Sequence, residues 1–304
     1  MSQQLTITRK VCPSSLFEGL DLEHLLATIT IKDAREKWRE CGGPGSPSAW
    51  ILTDPTHSPK GAKSTNPEYI LYLAPVREAG TSVDMCPRAT HGPNGCASSC
   101  LYTAGRGKFA SIRAGRVART RFMVTYPAHF LVMVAGNLKA IAKRSRNAGT
   151  SPWVRLNGTS DVPWERSQAG RQLIRYGQSL GIGFGDYTKF PAAERDREPY
   201  PSYMLARSAW PTQKSAEEVI ELWRSGESVS VVVDDIELLI ALGTLGIVSA
   251  DKSDEWLRLP EPTIGVLSPK GDLRSGEPGK AFYRAVDLAR ALGNASSNLQ
   301  ERTQ

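Results

Sequence analysis

From residue 69 onward, short apolar runs recur along the chain and each ends in polar residues. They cover 69–73, 154–156, 182–184, 203–205, 229–233, 247–248 and 264–267. Runs this short, bounded by turn-forming residues, predict buried strands. Between several of them lie longer stretches with apolar residues at helical spacing, which predict helices over 109–122, 128–144, 168–179, 215–225 and 279–292. Pro127 suits the first turn of the second of these, and Ser215 with Glu218 forms a capping-box pattern at the fourth. Strands alternating with helices imply parallel βαβ units. The expectation is an α/β fold over residues 66–293, a TIM-like parallel β/α barrel, complete or incomplete.

The first 65 residues lack that rhythm. A Gly- and Pro-rich stretch at 42–48 and a polar one at 53–66 predict loops, and 25–31 reads equally as strand or helix. Residues 1–65 are therefore expected to be an N-terminal appendage and linker, and 294–304 a disordered tail.

Polar residues gather where the predicted strands end. Asn157, Thr159, Ser160 and Asp161 follow one strand; Asp186, Tyr187, Thr188 and Lys189 lie at the end of the next. Ser208 follows the 203–205 run, Asp234 and Asp235 the 229–233 run, Asp251 the 247–248 run, and Ser268 and Lys270 the last. In parallel α/β architectures, these C-terminal strand ends build the site. Asp161, Asp186 and Lys189 are the candidate catalytic residues. Asn157, Ser160, Ser208 and Lys270 are candidates for holding a cofactor. Asp234 and Asp235 fit helix capping better.

Charge sharpens the picture. The 304 residues carry 38 Lys or Arg against 31 Asp or Glu, a net +7. Twelve of the bases fall between Met85 and Ser160, where no acid occurs, leaving 26 bases and 31 acids elsewhere. Concentrated cations favour a polyanionic partner, because binding phosphates releases their counterions. Arg106, Lys108, Arg113, Arg116 and Arg119 are the candidate phosphate or nucleic-acid contacts. Hydrophobic content of 40% is ordinary for a globular chain. No apolar run approaches the ~20 residues of a membrane helix, and the first 30 residues lack an export pattern. The expectation is no membrane association and residence in the cytoplasm.

Five cysteines without an export signal point to free, metal-bound or redox thiols. Cys86, Cys96 and Cys100 lie within fifteen residues of the acid-free segment, spaced C-x9-C-x3-C across a Gly92-Pro-Asn-Gly95 turn. Three thiolates converging on one point can hold zinc or an iron–sulfur cluster. A structural zinc usually takes four ligands, for which His91 and His129 are candidates. A [4Fe–4S] cluster on three cysteines leaves one iron open. Cys12 and Cys41 lie outside this constellation.

These residues resemble the actinophage gene product 88 family. The likeness runs through Tyr72-Leu-Ala-Pro75, residues 80–100, Leu101-Tyr-Thr-Ala-Gly-Arg106 and Ala118-Arg-Thr-Arg-Phe122. It continues through Arg155-Leu-Asn-Gly-Thr-Ser-Asp161, Asp186-Tyr-Thr-Lys189 and Gly265-Val-Leu-Ser-Pro-Lys-Gly271. The resemblance implies a bacteriophage source. The layout, a cysteine triad after the first barrel strand, is also similar to radical S-adenosylmethionine enzymes, whose usual triad is C-x3-C-x2-C. Three functions follow as expectations. The first is an iron–sulfur enzyme with S-adenosylmethionine that modifies a nucleotide or phage DNA base. The second is a zinc-containing barrel enzyme for base modification, with Asp161 or Asp186 as nucleophile or base. The third is a non-catalytic, metal-stapled DNA-binding protein.

Overall fold

The computed structural model describes residues 12–43, 50–57, 64, 66–100, 102, 104–195 and 203–301, without the side chains of 294–301. Much of the two stretches expected as loops, at 42–48 and 53–66, and the last three residues of the expected tail lie outside the described residues. The seven predicted strands are all present. They are β2 (Glu68–Leu71), β3 (Trp153–Arg155), β4 (Gly183–Thr188), β5 (Tyr203–Ser208), β6 (Ser228–Val232), β7 (Ile247–Ser249) and β8 (Ile264–Leu267). A short β1 (Leu52–Thr53) precedes them.

They form one eight-stranded, mostly parallel sheet in the order β1-β2-β3-β4-β5-β6-β8-β7. Only β1 runs antiparallel, with Leu52 opposite Leu71. Asn137 holds β1 in place, its Oδ1 accepting from the amides of Ile51 (2.9 Å) and Leu52 (3.2 Å).

Among the described residues, eight α-helices accompany the sheet: α1 (Leu22–Thr28), α2 (Ile31–Glu40), α3 (Ala110–Thr125), α4 (Pro127–Ala148), α5 (Gln168–Ser179), α6 (Ala216–Arg224), α7 (Ile236–Ala241) and α8 (Ala285–Glu301). Local chemistry sets their ends. Ser215 and Glu218 form the reciprocal capping box read from the sequence. Thr30 and Asp33 form a second on α2. Asp235 caps α7, and Asp234 accepts from the Ala285 amide at the start of α8. Pro127 opens α4, and Gly149, at φ 64°, closes it in the left-handed conformation that glycine adopts without strain.

Side chains alternate across each strand. Tyr69, Leu71, Val154, Leu156 and Phe184 face a core shared with α1 to α5. Val229, Val231, Ile264 and Val266 face a second core with α6 and α8. The segment expected as an appendage belongs to the first core: Phe17, Leu22, Ala34 and Trp38 are buried in it, and Phe17 stacks on Trp164. The helix α8 runs on to Glu301, through most of the expected tail.

The opposite face of the sheet is covered differently. A 3-10 turn at Glu255–Arg258 lays Trp256 against Ala206, Ala250 and Tyr187. Arg258 lies 4.7 Å over the Trp153 ring. Gly183, Gly185 and Gly265 sit beneath these rings; a Cβ on Gly183 would stand 2.3 Å from Trp153, and one on Gly265 2.5 Å from Trp256. Glycine in a strand marks such close approaches. Within this layer Arg155 pairs with Asp254 at 2.5 Å, and Tyr187 donates to Asp254 at 2.7 Å.

Candidate functional site

The cysteine loop follows β2 and lies across the C-terminal ends of the parallel strands. Several contacts fix it there. The Asp161 amide donates to the Met85 carbonyl at 2.8 Å. Cys86 Sγ approaches the Thr159 carbonyl at 3.7 Å, and Thr159 Oγ1 donates to Leu73 O at 2.5 Å. Further along, Trp210 Nε1 donates to Asn94 O at 2.7 Å, and Cys96 packs beside Trp210, Leu273 and Phe282. Past the third cysteine, a Cβ on Gly271 would come within 2.9 Å of Ala104. The loop and the segment after it thus touch residues that follow β3, β5 and β8.

Its own turn is tight. The Cys96 amide donates to Thr90 Oγ1 at 2.8 Å, and Ser98 Oγ donates to Gly92 O at 2.6 Å. A Cβ on Gly95 would meet Thr90 O at 2.5 Å, so only glycine fits. Nearby, Val76 adopts φ 45°, a costly conformation for a β-branched residue, and its carbonyl accepts the Met85 amide.

The three thiols share one electrostatic neighbourhood. Cys86 feels Cys100, Asp161 and Cys96, and Cys100 feels Cys96 and Arg116. Burial pushes the Cys86 thiol well above its ordinary range and Cys100 up as well. Metal binding here must therefore displace protons. Among the described residues, no three His, Cys, Asp or Glu side chains stand at metal-holding separations. The donor set nonetheless suits a thiophilic group: three thiols from one loop and a guanidinium beside Cys100.

The candidate histidines diverge. His91 is exposed and lines an open groove of about 570 Å³ with Val76, Arg77, Glu78, Gly80 and Asp84. His129 stands on α4 against Tyr126, near Asp33 and Glu40 of α2. That places it on the helical layer rather than with the thiols, which corrects its candidacy as a fourth ligand.

The strand-end residues fall into two groups. Asn157, Ser160 and Asp186 are turned inward. Asn157 Oδ1 accepts from the Val162 amide (2.9 Å) and Ser160 Oγ (3.0 Å), closing the 157–162 turn. Asp186 accepts from the amides of Leu156 (3.0 Å) and Asn157 (2.9 Å) and from Tyr203 Oη (3.1 Å), wholly shielded from solvent. Burial pushes its carboxyl up to about 7, against the opposing pull of Arg155. Asp186 therefore acts as a positioning residue that locks β3 to β4.

Asp161 is buried as well, whereas Lys189, Ser208 and Lys270 keep partial exposure at the mouth. Asp161 Oδ2 accepts the Lys189 amide at 2.8 Å, while Oδ1, shielded from solvent, has no hydrogen-bond partner among the described residues and lies 3.7 Å from Arg195. Burial raises the Asp161 carboxyl. Lys189 Nζ donates to Ser208 O and Oγ at 3.2 Å and sits 5.3 Å over the Trp210 ring. Lys270 pairs with Asp251 at 2.7 Å. Arg106, Lys108 and Phe109 are exposed at the start of α3, and Arg113 lies over the Tyr102 ring. Arg116 is buried between Tyr72 and Tyr102, and Arg119 is partly buried beside it.

Sequence reasoning missed Arg195, which pairs with Glu165 and Thr188 beneath Asp161, and Trp210, which joins Lys189 to the cysteine loop. Arg195 follows no strand and carries no local signal. Trp210 lies two residues beyond Ser208, and that spacing is its only clue.

No curated protein and no solved structure matches the chain. A family model described as Gene product 88 does match, over residues 50–285, which spans β2 through β8 and every strand-end residue named above. More than three quarters of the sequence, including the cysteine loop, is thereby accounted for, and the chain belongs to the gene product 88 family of bacteriophage proteins.

Proposed function

We propose that this protein is an iron–sulfur enzyme, similar in layout to radical S-adenosylmethionine enzymes, that modifies a nucleotide or a phage DNA base. One observation carries the reading. A single loop brings three cysteines into one electrostatic neighbourhood over the C-terminal ends of parallel strands. Cys86, Cys96 and Cys100 would hold a [4Fe–4S] cluster. Bound there, it would supply an open iron for S-adenosylmethionine and a source of one-electron chemistry.

The chain's own residues would bind and orient. Lys189, steadied by Ser208 and Trp210, presents a cation at the mouth. Asp161, buried against Arg195, holds the Lys189 backbone amide in place. Lys270 and Asp251 flank the far side. The exposed Arg106, Lys108 and Phe109 supply charge and a stacking surface, the combination that nucleic-acid grooves use.

The test is anaerobic. The protein, reconstituted with iron and sulfide and reduced with dithionite, is mixed with S-adenosylmethionine, and methionine release is measured. The expected result is release that disappears in Cys96→Ala and falls at least ~100-fold in Lys189→Ala, the range for a lost charged contact to a bound ligand. Release unchanged in Cys96→Ala contradicts the reading. A colourless protein holding one zinc per chain would transfer the same thiols to the zinc alternative.

A further inference from the structure

Two arginines beside the cysteine loop lack the anion that their burial demands. Arg113, Arg116 and Arg119 follow one another at three-residue intervals on α3, hence along one side of the helix. Arg116 is only 6% exposed. Its Cζ lies 4.8 Å from the Tyr72 ring centre and 5.4 Å from that of Tyr102. Among the described residues, its Nε and Nη1 have no hydrogen-bond acceptor, and neither has Arg119 Nε.

Other charges make the deficit worse. Burial and the neighbouring Arg116 push Arg119 down to about 10. No acid occurs between Met85 and Ser160. Glu78, which Cys100 and Tyr102 sense, is exposed and forms no ion pair with Arg116 among the described residues. A buried cation without a partner costs several kcal/mol, and an apolar residue of similar volume would be more stable there. Arg116 carries this cost, and the partly buried Arg119 one turn on adds to it.

We propose that Arg116 and Arg119, between Tyr72 and Tyr102 and next to Cys100, form an anion pocket for one phosphate or carboxylate group of a small ligand that lies on the cysteine loop. Guanidinium forks match both oxyanions. Depth sets the class. The exposed Arg106 and Lys108 can meet a polyanion's backbone, whereas Arg116 can be reached only by a terminal group on a compact ligand. The inference rests on the cysteine loop being a ligand-binding centre, and it is independent of what the thiols carry.

Titration calorimetry of the full chain tests it, with inorganic phosphate and acetate as separate probes. At least one should bind saturably, and which one does identifies the source of the oxyanion. Arg116→Met and Arg119→Met should each weaken that binding about thirty-fold or more, as expected for removal of one partner of a buried charge pair. The double variant Lys139→Gln/Lys143→Gln, at exposed positions of α4, should bind as the parent does. Without ligand, Arg116→Met should melt about 2–4 °C higher, since an uncompensated charge has gone. Arg116→Lys keeps the charge, loses the fork and should show intermediate binding. Binding of neither probe, unchanged affinity in Arg116→Met, or an equal loss in the Lys139/Lys143 variant would overturn the pocket. Because all three cysteines remain in every variant, iron content reports on the thiol reading separately.

Discussion

Asp186 carries the clearest pH signature. Its folded-state carboxyl titrates near about 7, against an ordinary 3.8. The folded chain thus keeps a proton that the unfolded chain releases above about pH 4. Its contribution to stability is fully present below that pH and is lost as pH rises through about 7. Asp186→Asn should remove this dependence, while disturbing the amide contacts to Leu156 and Asn157 at a cost of about 1–3 kcal/mol. Thermal melts of both proteins from pH 4 to 8 should show the deficit of the variant shrinking as pH rises; a constant deficit would place the titration elsewhere. A second prediction concerns the ion pair behind β3. Asp254→Ala leaves the buried Arg155 without its closest carboxylate and should cost about 3–5 kcal/mol in chemical denaturation. At this scale the sequence was partly legible. Strand-end polarity picked out Asp161, Asp186 and Lys189, but residue type alone did not separate the two buried carboxylates, Asp186 bound by the Leu156 and Asn157 amides and Asp161 by that of Lys189. That difference comes from which backbone amides each carboxylate meets, and those belong to a neighbouring strand.

Among the elements, the strands were the most legible, because short apolar runs between turn residues match buried parallel strands directly. The helices α3 to α6 were found for the same reason, with ends displaced by up to four residues, and α8 was found but begins six residues later and runs nine further than expected. The missed elements are short or lean on others. α1 and α7 have 7 and 6 residues, too few for a periodic pattern, and β1 has only 2, held by Asn137 from another element. Gly183, Gly185 and Gly265 carried an unread signal, since three strand glycines imply rings lying on the sheet. Gly183→Ala should force Trp153 to move and cost about 1–3 kcal/mol, read from the denaturation midpoint. An unchanged midpoint would mean that the Trp153 ring is not seated as described.

For the whole molecule, the helices before β1 are part of the main core rather than an appendage. Trp38→Ala should therefore destabilise the entire chain by about 3–5 kcal/mol in a single cooperative transition; a separate early transition would mark residues 12–43 as an independent unit. Composition hid this, because α2 is charged on its outer side and only Ala34 and Trp38 are buried. The charge asymmetry was legible at once, and the fold gives it a location: the acid-free segment supplies the cysteine loop, α3 and α4, and ends at the β3 turn. The account turns on what the three thiols hold. Iron, acid-labile sulfide and zinc per chain, measured on protein purified without oxygen, test this most directly. The account predicts close to four iron and four sulfide per chain, lost together in Cys86→Ala, Cys96→Ala and Cys100→Ala, as a three-cysteine [4Fe–4S] site requires. A folded parent protein with stoichiometric zinc, or with no metal after reconstitution, would contradict it.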